Sequence, residues 1–203
     1  MSYPPKITVI APHFRMVDDP RGTGTHSARL VLLEAFAALT VLADDQGHVH
    51  FRQQVEIDDT GDQSVDLLRK LTRPLTAETV LVGFRLDHVL ASLMRVPRDS
   101  EHEAEAKNAL LRLKLALNQA PIDAWWLASK PFLVLNAAAI QFGLPARWEE
   151  PVTVANPPVC RATLAARAQS MWAAIVADRM PAGDPRRRTF ADFDRWRTTA
   201  TQL

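Results

Sequence analysis

The chain has 203 residues, of which 47% are apolar and 23% are charged, and this composition is typical of a folded globular protein rather than a disordered one. Its 24 basic and 23 acidic residues give a net charge of +1, which excludes a strongly basic nucleic-acid coat protein and a polyacidic tail. Glycine is scarce at 7 residues and proline plentiful at 14, which excludes a glycine-rich low-complexity chain.

The single cysteine, Cys160, excludes an intramolecular disulfide and argues against a thiolate zinc site. A chain with one cysteine suits a reducing compartment. The start of the chain lacks the features of a secretory signal, which are a basic start followed by a long apolar stretch. No window of the sequence approaches the 18 uninterrupted apolar residues of a membrane span. We therefore expect a cytoplasmic protein with no membrane partner.

The first strand is predicted at Ile7–Phe14, followed by a loop at Val17–Ser27 that contains Asp18 and Asp19. Beyond this loop, the apolar run Arg29–Leu42 fits a helix or a strand.

A hairpin resolves that ambiguity. Asp44–Gly47 has the composition of a hairpin turn, and His48–Ile57 alternates between apolar and polar residues, as a half-buried strand does. Because a hairpin needs a strand on each side of its turn, we predict a strand at Leu32–Ala43.

The rest of the chain is mainly helical by its patterns of caps and apolar spacing. Helices are predicted at Val65–Leu71, with Ser64 as cap, and at Asp87–Met94, Ser100–Asn118, Phe132–Phe142 and Arg161–Arg179. A last short helix is capped by Thr189 and Asp192. Between the helices, we predict a strand at Thr79–Phe84 and a short strand or helical turn at Ile122–Leu127. We expect one α/β domain over residues 1–180 and a basic extension over 181–203, packed on the domain or projecting from it.

The charge is distributed unevenly along the chain. Residues 41–66 contain seven acids and one base, whereas residues 179–203 contain six arginines and three aspartates. The most concentrated basic feature is Arg186, Arg187 and Arg188. These arginines fit contact with phosphate, a bridge to the acidic segment of this or a second copy, or a solvated surface.

The order of elements resembles that of the DEDD-type (DnaQ-like) 3′–5′ exonucleases, which have the ribonuclease H-like fold. Glu34, in LVLLEAFA, is similar to the Glu of the family's "I-I-E-I-A" strand. The segment LVGFRLDH is similar to "V-G-H-N-x-x-F-D", with Asp87 at the Asp. Ile122–Leu127 resembles "I-D-T-L", and Cys160–Ala165 occupies the place of "H-x-A-x-x-D". The resemblance implies a ribonuclease H-like mixed sheet flanked by helices, with a helical C-terminal part.

The catalytic residues of that family are mostly absent. The family binds two metal ions through four carboxylates, two of them from a D-x-E on the first strand, where this chain has Ala-Pro-His13. The last motif has Cys160 for its His and Ala165 for its Asp. Only Asp87 matches a metal-binding carboxylate, so the resemblance implies a degenerate site. An active enzyme would need Asp18 and Asp19 to join Asp87 around Mg²⁺ or Mn²⁺.

Other combinations of reactive residues are also present. His48 and His50 share one face of a strand and could form half of a metal site, or be exposed histidines. Cys160 could pair with His13 as a nucleophile, although a buried thiol is the simpler expectation. Among the five tryptophans, Trp148 and Trp196 lie in polar contexts suited to stacking on bases, and Trp172 fits the core.

These observations lead to one expected function and two alternatives. We expect a catalytically degenerate exonuclease-fold protein that binds nucleic acid or a protein partner through a cleft around His13, Arg85, Asp87 and Arg161, without a cofactor. An active metal-dependent 3′–5′ exonuclease and an unrelated α/β protein-interaction module are the alternatives. The sequence leaves the oligomeric state open.

Overall fold

The computed structural model describes most of the predicted elements. The described residues are 6–18, 29–43, 48–58, 60, 63–96, 102–118, 121–127, 130–145, 148, 160–179 and 188–200.

A mixed five-stranded sheet forms the centre of the protein. Its strands are β1 (Lys6–Asp18), β2 (Arg29–Ala43), β3 (Val49–Ile57), β4 (Thr79–Gly83) and β5 (Ile122–Asp123), in the spatial order β3-β2-β1-β4-β5. The pairs β1–β2 and β2–β3 are antiparallel, whereas β1–β4 and β4–β5 are parallel. The hairpin argument for a strand at Leu32–Ala43 is confirmed, and the strand begins three residues earlier, at Arg29.

Helices cover both faces of this sheet. They are α1 (Ser64–Thr72), α2 (Leu86–Leu93), α3 (Glu103–Leu117), α4 (Pro131–Gln141), α5 (Arg161–Arg179) and α6 (Arg188–Ala200), with a short 3-10 helix at Ala124–Leu127. The predicted fold class is confirmed: an α/β protein with a mixed sheet flanked by helices and a helical C-terminal part, compatible with the ribonuclease H-like arrangement. No helix in the described ranges is long and apolar enough to cross a membrane.

The core has two layers because the central strands are apolar on both faces. On one face, Val9 and Leu39 pack with Trp172 of α5 and with residues of α4. On the other face, Ile10 and Phe36 pack with residues of α1 and α3. Trp172 is buried, as the sequence predicted.

The helix α6 packs on the outer strand β3 through aromatic rings. Phe193 is fully buried and lies 5.4 Å from the ring of Phe51, and the ring of Trp196 lies 5.5 Å from the same Phe51. Trp148 is also held in place, since its Nε1 donates to Ser170 Oγ at 2.8 Å. Trp148 and Trp196 are both half-buried and take part in packing, and their suitability for stacking on bases stays a prediction.

Several predicted helix starts need correction. The residue before α1 is Gln63, and Ser64 lies inside the helix, where its Oγ donates to the carbonyl of Leu33 at 3.0 Å. The helix α3 begins at Glu103, and Ser100 lies outside the described residues. The helix α6 begins at Arg188, so Thr189 is not its cap and the helix is longer than predicted.

We expect Gly83→Ala to destabilise the protein, because Gly83 is closely packed at the end of β4. A Cβ there would lie 2.5 Å from Leu86 Cδ2 and 3.1 Å from Leu86 Cγ, and Leu86 is buried. The strain should lower the free energy of unfolding by about 1–3 kcal/mol, measured by urea denaturation. The control is Ala137→Gly on the exposed side of α4, which increases the freedom of the backbone in the unfolded chain without introducing a steric clash. An unchanged midpoint for Gly83→Ala would contradict the packing described.

Candidate functional site

Two site residues predicted from the sequence, His13 and Arg85, and two tryptophans lie in or directly after strands that run in parallel. His13 lies in β1, Arg85 follows β4, and Trp125 and Trp126 follow β5. Because β1, β4 and β5 are mutually parallel and Val9 is paired with Val82, the middle of β1 lies level with the carboxyl ends of β4 and β5, and β1 continues beyond them to Asp18. Ligands of open α/β sheets bind at the edge formed by such carboxyl ends, which we call the carboxyl edge.

Asp123 fixes the turn between β4 and α2. Its Oδ1 accepts hydrogen bonds from the main-chain N–H groups of Arg85 at 2.8 Å and Trp125 at 2.9 Å, and its Oδ2 accepts from Leu86 N–H at 2.7 Å. The carboxylate thus satisfies free donors at the start of α2 from a neighbouring strand. Asp123 therefore has a structural role, in which it orients this turn.

Arg85 has a backbone conformation that non-glycine residues rarely adopt, with φ at +52°. Its Nη2 lies 2.6 Å from His88 Nε2, and its guanidinium carbon lies 5.3 Å from the centre of the Trp125 ring. Such strain persists only where neighbours enforce it, and it is frequent at functional sites. Asp123, which holds the main-chain N–H of Arg85, is the neighbour that enforces it here.

Asp87 projects from the first turn of α2, and its side chain is 76% exposed. The one contact described for it is with His88, at 3.6 Å. Within the described ranges, no three His, Cys, Asp or Glu side chains come together as a metal site. Asp87 therefore has no described carboxylate cluster around it.

The two aspartates of the active-enzyme alternative are not both described. Asp18 is the last residue of β1 rather than part of a loop, because β1 stays paired with β2 up to Asp18 and Arg29. Asp19 lies outside the described residues.

A β-bulge places Glu34 beside His13. His13 is paired with Ala35 and Phe14 with Leu33, so Glu34 is the extra residue of β2. The bulge reverses the alternation of β2: Ala35 packs on the α5 face, whereas Leu33 packs on the α1 face.

Glu34 lies between two basic side chains of β1. Its Oε2 is 3.6 Å from His13 Nε2, and its Oε1 is 3.3 Å from Arg15 Nε. The His13 side chain is only 13% exposed. Burial lowers the pKa of His13 below its ordinary 6.5, while the Glu34 carboxylate opposes that shift and the Arg167 charge adds to it. His13 is consequently neutral at pH 7.

Arg167, on α5, lies close enough to His13 for its charge to lower the pKa of that imidazole. Burial lowers the pKa of its guanidinium, and its Nε has no hydrogen-bond partner. His13, Arg15, Glu34 and Arg167 form what we call the α5-face cluster. Its composition is basic, with one carboxylate, where the resemblance would place metal-binding acids.

Cys160 and Arg161 stand at the start of α5. The Cys160 thiol is exposed, so the prediction of a buried thiol is wrong. Its Sγ lies 3.0 Å from Thr163 Oγ1 and accepts from Thr163 N–H at 3.4 Å, and these hydrogen bonds lower the pKa of the thiol. No hydrogen bond or ion pair joins Cys160 to His13 in the described part of the chain. Arg161 donates to the carbonyl of Val55 at 2.7 Å.

The other predicted binding residues are described only in part. Arg186 and Arg187 lie outside the described residues, and Arg188 is the first residue of α6. His48 immediately precedes β3 and His50 lies within it, and both residues are exposed.

Three residues at or near the carboxyl edge were missed in the sequence. Arg167 follows Leu164 by three residues and precedes Met171 by four, so helical spacing would have placed it on the buried stripe of α5. Arg15 continues the alternation of β1 beyond the predicted end of the strand. Trp126 is 80% exposed, but no sequence signal distinguishes it from the adjacent Trp125.

Comparison with known proteins identifies no family. The chain matches no family model, and no curated protein is similar enough to be counted as a relative. The exonuclease resemblance therefore remains a prediction from the sequence.

We expect Asp123→Ala to destabilise the protein and Asp87→Ala to leave it unchanged. Asp123 accepts three main-chain hydrogen bonds, so its loss should lower the free energy of unfolding by about 2–3 kcal/mol. Asp87 is exposed, and its loss should cost less than about 0.5 kcal/mol. Urea denaturation of both variants measures the difference. Equal losses would contradict the roles assigned to the two carboxylates.

The stability of the protein should fall as the pH drops through 6.5, because His13 is buried in its neutral form. Below that pH the unfolded chain binds a proton at His13 that the folded chain does not, so protonation favours unfolding. We expect His13→Gln to lose less stability than the wild type between pH 7.5 and pH 5.5, again measured in urea. Identical losses in both proteins would show that His13 does not carry the effect.

Proposed function

We propose that this chain is a catalytically degenerate protein of the exonuclease, ribonuclease H-like type, which binds single-stranded nucleic acid along its carboxyl edge as an accessory or regulatory factor. The observation that carries the proposal is the composition of that edge. Arg15 and His13 lie beside the carboxylate of Glu34, the charge of Arg167 acts on His13, and Arg85 follows the neighbouring strand. Guanidinium groups bind phosphate oxygens well.

An exposed aromatic side chain extends the same edge. Trp126 follows β5, and the residue is 80% exposed. Positive charge combined with an accessible aromatic ring is the general composition of single-strand binding surfaces.

Loss of catalysis is the second part of the proposal. Two-metal hydrolysis needs several carboxylates at one point, and the described residues gather no such group around Asp87. Binding of the proposed kind needs no cofactor. We also propose a cytoplasmic location, on the single cysteine of the chain.

A protein partner is the second candidate, favoured by a different observation. The helix α4 packs Leu135 and Ala138 into the core, but it also exposes Leu133 and Ile140, which are 62% and 79% exposed. Large exposed apolar side chains on one helix are typical of interaction sites.

Binding of a 20-nucleotide single strand, followed by fluorescence anisotropy at several salt concentrations, tests the first candidate. We expect salt-dependent binding that Trp126→Ala weakens by about 1–3 kcal/mol. Arg85→Asn should weaken it too and lower the salt slope by about 1. Asparagine is chosen because it tolerates the left-handed backbone of Arg85.

The matched control is Arg112→Ala, which removes an exposed arginine from α3 on the other face of the sheet. Arg112→Ala should bind the single strand as tightly as the wild type does, or lose only the small affinity that comes from the removal of one positive charge. No binding of any strand at low salt would favour the protein partner.

Incubation of an end-labelled strand with Mg²⁺ or Mn²⁺ tests the loss of catalysis. We expect the strand to remain intact. Degradation that disappears in Asp87→Ala would overturn the degenerate reading and support the active exonuclease. Degradation that persists in Asp87→Ala would point to a contaminating nuclease, which a second purification step would remove.

A further inference from the structure

Three nitrogen atoms of the α5-face cluster have unused hydrogen-bonding capacity. His13 Nε2, Arg15 Nε and Arg167 Nε are each buried and form no hydrogen bond with the described residues, although the first two lie within ion-pair distance of Glu34. Buried polar groups of native proteins are nearly always hydrogen-bonded, and exceptions call for an explanation such as a bound ion or ligand. Three of them in one cluster indicate a site rather than three separate defects.

The charges of the cluster do not balance. The Glu34 carboxylate is shared by Arg15 and His13. Arg167 has no acidic partner among the residues that the structure describes, although burial already lowers the pKa of its guanidinium. With His13 neutral, two guanidinium groups face one carboxylate, and the cluster has a net charge of +1 by this count. A desolvated guanidinium without a counter-charge is costly, so an anion would stabilise the cluster.

The cluster is also open to solvent on one side. The Arg15 side chain is 43% exposed and that of Glu34 is 26% exposed, whereas His13 lies deeper. An anion can therefore reach the guanidinium of Arg15 without unfolding the sheet. The chemistry of the donors favours a tetrahedral oxyanion, because guanidinium groups from two elements and an imidazole supply donors from different directions.

We infer that Arg167, Arg15 and His13 form a binding site for a phosphate group. This inference rests on the proposed function, in which the phosphate belongs to a single strand of nucleic acid. The phosphate oxygens accept hydrogen bonds from Arg15 and Arg167, and His13 donates a further one. Glu34 competes with the phosphate for Arg15 and His13, so it limits the affinity of the site and favours release.

Two neighbouring substitutions should have opposite effects, and this opposition makes the inference testable. Arg167→Gln removes the unpaired charge and should abolish phosphate binding. Glu34→Gln keeps the shape of the side chain but removes the charge that competes with phosphate. This variant should therefore bind phosphate about tenfold more tightly, which corresponds to about 1.4 kcal/mol of binding free energy. Substitutions that only disturb packing would weaken binding in both cases.

The experiment is a titration with inorganic phosphate against chloride of equal ionic strength, followed by isothermal calorimetry and by the thermal unfolding midpoint. We expect phosphate to bind the wild type and to raise its midpoint, to raise that of Glu34→Gln further, and to act on Arg167→Gln no more than chloride does. If Arg167→Gln fails to fold, Arg15→Gln replaces it, since Arg15 is more exposed. Phosphate binding that is equal in all variants, or absent from the wild type, would overturn the inference.

A second titration separates this inference from the proposed function. Single strands with and without a terminal phosphate are added to the wild type and to Arg167→Gln. Weaker binding of both strands to the variant supports a site for internal phosphates, and a loss confined to the phosphorylated strand supports a site for the terminal group. Strand binding that Arg167→Gln leaves unchanged would overturn the site but keep the function. Phosphate binding without strand binding would keep the site and overturn the function.

Discussion

The pairing of β1 with two neighbours of opposite direction is the constraint on which the site depends. β2 runs antiparallel to β1, whereas β4 runs parallel to it. The parallel pair brings the middle of β1, near His13, to the same edge as Arg85, and the antiparallel pair brings Glu34 back beside His13. If β4 ran in the opposite direction, Arg85 would be separated from the basic residues of β1. If β2 ran in the opposite direction, Glu34 would be separated from them.

Most of the sheet could be predicted from the sequence because its signals are local. Alternation in His48–Ile57 and the turn before it implied that β2 is a strand, and cap and spacing patterns predicted α4 to within one residue at each end. The bulge at Glu34 could not be predicted. It shifts the register by one residue, and the residues around it are apolar on both faces, so either register buries them equally well.

The candidate site was predicted only in outline. His13 and Arg85 could be singled out from the sequence, because motifs at strand ends are local in sequence. Arg167 was missed, since its importance comes from the lack of a partner, and pairing between distant elements is not visible in a single sequence. Cys160 was assigned to the core on the general behaviour of thiols, whereas its place before α5 makes it an exposed helix cap.

The hydrogen bonds of Asp123 also bear on the order of folding. β1, β2 and β3 follow one another in the chain and can pair through short loops, whereas Asp123 reaches Arg85 across 38 residues. Contacts between distant residues carry a larger entropic cost and tend to form late. We expect the three antiparallel strands to form first. The carboxyl edge is then completed when β5 docks, and with it the strained turn that presents Arg85.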